Sequence, residues 1–231
     1  MDYQVIKIND STWRIEDGGV RMFLLAGTEK ALLIDTGMNI TNAKEIAESL
    51  TDLPILLFNT HADRDHVAGN AAFDSFMMNP AEASNFYNTY GGDGKIVPVA
   101  DGQELDLGGR LLKFIYIPGH TPGSTAVLDV NAGVLIPGDP FQKNGSIFMF
   151  GVQREMHAYI LSCEKLMNEY AGAFTEIWPS HADLPIPADT VGILKEAAEK
   201  VLAGEIEGVE TDFRGNLIHV YDAGIAKFLG N

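Results

Sequence analysis

Apolar runs of strand length in this 231-residue chain repeatedly stop at a residue type that can hold a metal ion. Ile55 to Phe58 gives way to Asn59-Thr60-His61, and Leu111 to Ile117 to Pro118-Gly119-His120. Val134 to Ile136 ends at Pro137-Gly138-Asp139, and the short Ile177-Trp178 at Pro179-Ser180-His181. Apolar runs bounded by turn residues read as buried strands. Side chains beyond the same ends of neighbouring strands converge in one cleft, the usual place for a site in an α/β sheet. The pattern therefore points to an α/β chain that gathers His and Asp at one edge, and convergent His and Asp are metal-ligand candidates.

The rest of the chain fits that frame. Val5-Ile6-Lys7-Ile8, Thr12 to Ile15, Val20 to Ala26 and Ala31 to Ile34 are β-rich runs separated by turn chemistry, which predicts an antiparallel meander. Thr41 to Leu50 and Pro80 to Tyr90 read as helices, with Pro80 suited to a first turn. A loop is expected at Gly91 to Gly94, and Thr125 to Val130 pairs with Val134 to Ile136. Apolar residues at 156, 159, 160, 163, 166, 167 and 170 share one helical face. Cys163 lies on that stripe and reads as a buried small hydrophobe, not a nucleophile. Val191, Leu194, Ala198, Val201 and Leu202 line a last helix, and Leu217 to Leu229 closes as a strand pair. No repeat or linker divides the chain, so one domain over 1–231 is expected.

Composition narrows the partners. The net charge is −16, which repels phosphate backbones and anionic membrane surfaces, so nucleic acid and membrane are excluded as main partners. No run approaches 18 apolar residues, and the start lacks the apolar core of a secretory signal. The single cysteine excludes an internal disulfide and fits a reducing compartment. The expectation is a cytoplasmic protein acting on a small molecule; homodimerisation is left open.

The densest cluster is His61-Ala62-Asp63-Arg64-Asp65-His66, where four metal-ligand types fall within six residues. With Pro-Gly-His120, Pro-Gly-Asp139 and Pro-Ser-His181, it resembles the H-x-H-x-D-H signature of the metallo-β-lactamase superfamily and the later His, Asp and His of that family. Leu33-Ile34-Asp35-Thr36-Gly37 resembles the L-I-D-T-G strand end of the same family. The similarity spans about residues 10 to 185. It implies a four-layer αββα sandwich with the metal site at one edge between two sheets. It also implies one metal held by His61, Asp63 and His120, and a second by Asp65, His66 and His181, with Asp139 bridging. Asp35 is expected to orient a ligand imidazole by accepting its free N–H.

Position 63 departs from the family, most of whose members carry His there. A carboxylate cancels one unit of charge that an imidazole would leave in the site, which raises the pKa of bound water. It also makes the first site harder, favouring iron or manganese relative to a three-His site. The flavodiiron branch carries Glu at the corresponding position, but with an appended flavodoxin-like domain. Asp is one carbon shorter, so direct ligation and contact through a water both stay open.

Between residues 141 and 155, Lys143 and Arg154 supply positive charge and Phe148, Met149 and Phe150 an apolar wall. An anionic group on a partly apolar substrate would suit them, or they form a packed loop. The glyoxalase II-like pattern G-D-x-L-F is only partly met by Gly138-Asp139-Pro140-Phe141. His157 reads as surface, His219 as structural, and Thr121 and Ser124 as shaping the turn at His120. The leading expectation is a dinuclear metal-dependent hydrolase of an ester, thioester, lactone or phosphoester. Its cofactors would be two divalent ions, zinc first and iron or manganese next, and Asp65 would both ligate and hold a proton. The rivals are a di-iron redox or oxygen-chemistry protein and a non-catalytic binding module.

Overall fold

The computed structural model describes residues 3–90, 94–151 and 153–231. In its first half the strands are β1 (Tyr3–Asn9), β2 (Thr12–Asp17), β3 (Val20–Ala26), β4 (Ala31–Ile34), β5 (Ile55–Phe58), β6 (Ser75–Met78) and β7 (Lys95–Pro98). Helices α1 (Ala43–Glu48), α2 (Arg64–Val67) and α3 (Ala83–Tyr90) connect them. The second half brings β8 (Glu104–Asp106), β9 (Leu111–Tyr116), β10 (Thr125–Asp129), β11 (Val134–Ile136), β12 (Ser146–Met149) and α4 (Met156–Glu169). It closes with β13 (Glu176–Ile177), β14 (Ile186–Pro187), α5 (Thr190–Leu202), β15 (Gly208–Phe213), β16 (Asn216–Asp222) and β17 (Lys227–Gly230).

Strands β1 to β7 form one sheet in sequence order, antiparallel as far as β4 and parallel from there. A second sheet runs β14-β13-β11-β10-β9-β8. Alternation along β3 shows how the layers form. Phe23 and Leu25 point into the core between the sheets, against Phe114, Val127 and Ile136. Met22 and Leu24 point to the other face, where Ala43, Ile46 and Phe86 of α1 and α3 cover them. On the far side of the second sheet, Ile115, Ala126 and Leu135 pack under Tyr159, Cys163 and Leu166 of α4 and Leu194 of α5. The layers are helix, sheet, sheet, helix: the expected αββα sandwich.

The structure adds a third sheet, ordered β12-β17-β16-β15. The C-terminal strand pair was expected, but β12 and β15 were not. Ser146–Met149 has only four residues, two of them buried, and Gly208–Phe213 is mostly exposed, so neither shows the apolar density of a core strand. The same holds for the unforeseen β7 and β8, whose residues are largely exposed, and Pro98 ends β7 as edge strands tolerate. The helix expected over Thr41 to Leu50 is shorter, Ala43–Glu48. Most of the loop expected at Gly91 to Gly94 lies outside the described residues. Among the described residues, no helix is long and apolar enough to cross a membrane.

Candidate metal centre

The apolar runs do end at one place. His61 follows β5, His120 follows β9, Asp139 follows β11, and His181 follows β13. Asp63 precedes α2, which carries Asp65 and His66. Both Pro-Gly turns have a steric reason for glycine. Gly119 has φ +137°, and a Cβ there would meet the Tyr159 backbone at 2.5 Å. Gly138 has φ +74°, and a Cβ would meet Thr60 Oγ1 at 2.6 Å.

The side chains fall into two groups. In the first, His61 Nε2, His120 Nε2 and Asp63 Oδ2 form a triangle with edges of 3.3, 3.4 and 3.6 Å. In the second, His181 Nε2 lies 3.1 Å from Asp65 Oδ2 and 3.3 Å from Asp139 Oδ1. His66 Nε2 lies 3.2 Å from Asp139 Oδ1 and 3.7 Å from Asp65 Oδ2. Asp139 faces both groups: Oδ1 looks at the second, while Oδ2 lies 3.8 Å from His120 Nε2.

The imidazoles share one arrangement: each Nδ1 faces an oxygen, so each Nε2 is turned inward with its lone pair. His66 Nδ1 donates to Asp35 Oδ2 at 2.8 Å, His120 Nδ1 to the Phe148 carbonyl at 2.8 Å, and His181 Nδ1 to the Gly19 carbonyl at 2.8 Å. His61 Nδ1 faces Thr60 Oγ1 at 3.0 Å, and that hydroxyl donates to Asp35 Oδ2 at 2.8 Å. Histidines that bind metals are held in this way.

At this edge, two buried atoms, His66 Nε2 and Asp139 Oδ1, have no hydrogen-bond partner among the described residues. Orphaned buried polar atoms at a functional edge need an explanation. A divalent cation supplies one. Ligands at about 2.0–2.2 Å from a tetrahedral ion stand roughly 3.3–3.6 Å apart. The first triangle matches that spacing on all three edges, and the second group comes close to it. The residues fit metal ions.

The electrostatics agree. Burial opposes ionisation of Asp139, but the imidazoles of His181 and His66 outweigh it and hold its carboxyl well below the usual range. Burial also opposes the charge on His66, yet Asp139, Asp35 and Asp65 push its pKa well above normal. For His181, Asp139 and Asp65 overcome burial and push the pKa up to about 10. The first group differs: burial and the Arg154 guanidinium push His120 down, against the opposing pull of Asp63.

Other expected residues are placed as follows. Phe148 lines a cleft of about 630 Å³ with Asp65, Asp139, His181, Arg64 and Arg214. Lys143 is exposed, and its carbonyl accepts the Asp183 N–H at 3.2 Å. Arg154 donates to Asp63 Oδ2 at 2.6 Å. His157 is exposed and faces Glu155, and Cys163 is buried.

Two positioning residues left no mark in the sequence. Glu82 is fully buried, and its two oxygens accept the N–H groups of Ala62 at 2.9 Å and Gly123 at 2.6 Å, joining the His61 and His120 loops. Arg21 donates to the carbonyls of Pro179 and Ala182, and its own N–H to Ser180, so it frames His181 from three sides. Neither lies near a motif in the sequence.

An αββα sandwich carrying this double group at its edge defines a metallo-hydrolase. The family model for the metallo-beta-lactamase superfamily matches residues 15–166, and the chain belongs to that superfamily. It is a hydrolase. A human acyl-coenzyme A thioesterase, MBLAC2, is 25% identical over 201 residues, covering 69% of this chain and 72% of that protein. A hydroxyacylglutathione hydrolase from a Synechococcus species is 26% identical over 159 residues, covering 67% of this chain and 59% of that one. The solved structure of a metallo-beta-lactamase from Pontibacter korlensis superposes with a TM-score of 0.72 at 18% identity, over 86% of this chain and 99% of its own.

Proposed function

We propose that this chain is a dinuclear zinc-dependent hydrolase of an anionic thioester or related ester. The observation that carries the dinuclear reading is Asp139, whose two oxygens face two separate groups of ligand atoms. His61, Asp63 and His120 would hold one ion, and Asp65, His66 and His181 the other, with Asp139 between them. Zinc is favoured because four imidazoles are softer donors than the all-oxygen sets of magnesium or calcium. Bound there, the ions would supply a nucleophile from water near neutral pH and a Lewis acid for the electrophilic oxygen.

The chain's own residues do the rest. Asp65 uses Oδ2 toward His66 and His181. The same carboxylate would take the proton of the attacking water. The cleft beside the site offers Phe148 as an apolar wall, with Arg64 and Arg214 at its lining. Those two guanidinium groups stand in a chain of net charge −16, so they mark where an anionic substrate is tolerated. The names of the similar proteins, both thioester hydrolases, support the same class.

The test is elemental analysis joined to a substrate panel of coenzyme A thioesters, glutathione thioesters, carboxylic esters and phosphoesters. Two zinc ions per chain and chelator-sensitive turnover of a carbonyl substrate are expected. Preparations that take up no metal, or that hydrolyse no carbonyl substrate when loaded, refute the reading. One observation favours a di-iron redox protein instead, the carboxylate at 63. Iron retained in preference to zinc when both are supplied would support that reading.

A further inference from the structure

Asp63 and Arg154 are 91 residues apart in sequence, yet Arg154 Nη2 donates to Asp63 Oδ2 at 2.6 Å. That oxygen is the one facing His61 Nε2 and His120 Nε2. Both side chains are largely buried, Arg154 with 14% and Asp63 with 19% of the side chain exposed. Arg154 Nη1 lies 2.8 Å from His120 Nδ1 and 3.1 Å from His120 Nε2, and donates to the Phe148 carbonyl at 3.2 Å. A surface arginine would drift among partners; this one is fixed against the first ligand group.

The charges give the pairing a meaning. Asp63 alone would add a third carboxylate to a site that already holds Asp65 and Asp139. Arg154 cancels that charge, and it also draws on the lone pairs of the ligating oxygen. An imidazole at position 63 would be neutral with no partner. We infer that Asp63 and Arg154 together act as one neutral unit in the place of an imidazole. Arg154 is then a positioning residue that sets the cation affinity of the first group. This rests on the metal reading proposed above.

The affinity for the first ion should therefore follow the net charge of the pair and not the ligand identity at 63. Arg154→Met leaves the carboxylate unbalanced and should tighten zinc roughly tenfold or more, since a unit charge a few ångströms from a divalent ion is worth at least that much. Asp63→His strands a buried guanidinium beside the ion and should weaken zinc by a similar factor, although it restores the common motif. The double variant Asp63→His/Arg154→Met should return within about threefold of the parent, and Arg154→Lys should stay close to it.

The experiment is titration of the metal-free chain with zinc against a chromogenic chelator, giving both stepwise constants for each variant. Thermal unfolding of the same metal-free samples checks the pairing directly. Each single variant should lower Tm, and the double should regain part of the loss, because only the singles bury an unpaired charge. If Asp63→His fails to fold, Asp63→Asn carries the same loss of charge at nearly constant shape. The inference is overturned if Arg154→Met binds zinc no more tightly than the parent, or if the variant at 63 binds it as tightly or more tightly. A parent chain that binds two zinc ions while the variants behave in that way leaves the metal reading standing. A parent that binds none overturns both.

Discussion

Asp35 Oδ2 lies 2.8 Å from His66 Nδ1, and the same oxygen accepts the hydroxyl of Thr60, which faces His61. One carboxylate oxygen thus orients an imidazole in each ligand group, one directly and one through a hydroxyl. Asp35 has φ +64°, in the left-handed region that Asp and Asn tolerate better than most side chains.

Asp35→Asn should therefore fold, but its amide can present only one acceptor. Oδ1 already accepts the Thr60 N–H at 2.8 Å, so the amide NH2 would turn toward His66 Nδ1. His66 would then protonate Nε2, the atom that faces Asp139. Zinc affinity should fall about 10–100-fold, as for other partners of metal-binding histidines. Competition titration against a chelator reads this, and an unchanged affinity would show that Asp35 merely caps its strand.

His66→Ala and His181→Ala each delete an Nε2 from the second group and leave the triangle of His61, Asp63 and His120 intact. Each should reduce bound zinc from two ions per chain to about one and abolish hydrolysis. Either variant keeping full metal content at full rate would mean that the ligand set is wrong.

Cys163 is buried on the inner face of α4, and burial pushes its thiol up to about 12. Native protein should resist iodoacetamide at neutral pH and react only when unfolded, because the thiolate is the nucleophile. A raised pKa means that the folded state holds this proton more tightly than the unfolded chain does. The contribution is complete below the unfolded thiol range, near 8.5, and is lost as pH climbs toward about 12. Cys163→Ala should cost about 1 kcal/mol and leave activity intact. Fast alkylation of the folded chain is the result that would contradict this.

The sandwich and the gathering of His and Asp at its edge were legible because both rest on local signals. Buried strands are apolar runs, and each site residue lies within a few positions of such a run's end. What stayed hidden depends on contacts between distant segments. Strand β12 has only four residues and pairs with β17, some 80 residues on, so its own composition does not reveal it. Arg154 gives no sign of its partner, because the two are 91 residues apart. Its partner at 2.6 Å, Asp63, sits in another loop. Glu82 and Arg21 carry no motif at all, and only the fold shows which loops they tie.

Arg110 makes a separable prediction at the end of the sheets remote from the site. Its guanidinium donates to Asp129 Oδ2 at 2.6 and 2.8 Å and to the Ser11 carbonyl at 2.7 Å, clamping the second sheet to the first. Asp129 is 2% exposed. Arg110→Met strands that carboxylate and should cost about 3–5 kcal/mol in urea unfolding. Zinc content of the folded fraction should not change, since no ligand loop is touched. A loss of metal at retained stability would contradict the clamp.

Glu82 links the two histidine loops that build the first group. Oε2 accepts from Ala62, next to His61, and Oε1 from Gly123, three residues past His120. Glu82→Gln keeps the shape but puts an NH2 against one of those N–H donors. The mismatch leaves a buried donor unpaired and should cost about 1–3 kcal/mol. Because Ala62 and Gly123 flank His61 and His120 only, the first ion should weaken while the second, held by Asp65, His66 and His181, stays within about twofold. Stepwise zinc constants separate this from a general loss of packing. Equal weakening of both ions would mean that Glu82 supports the fold as a whole and not the first group in particular.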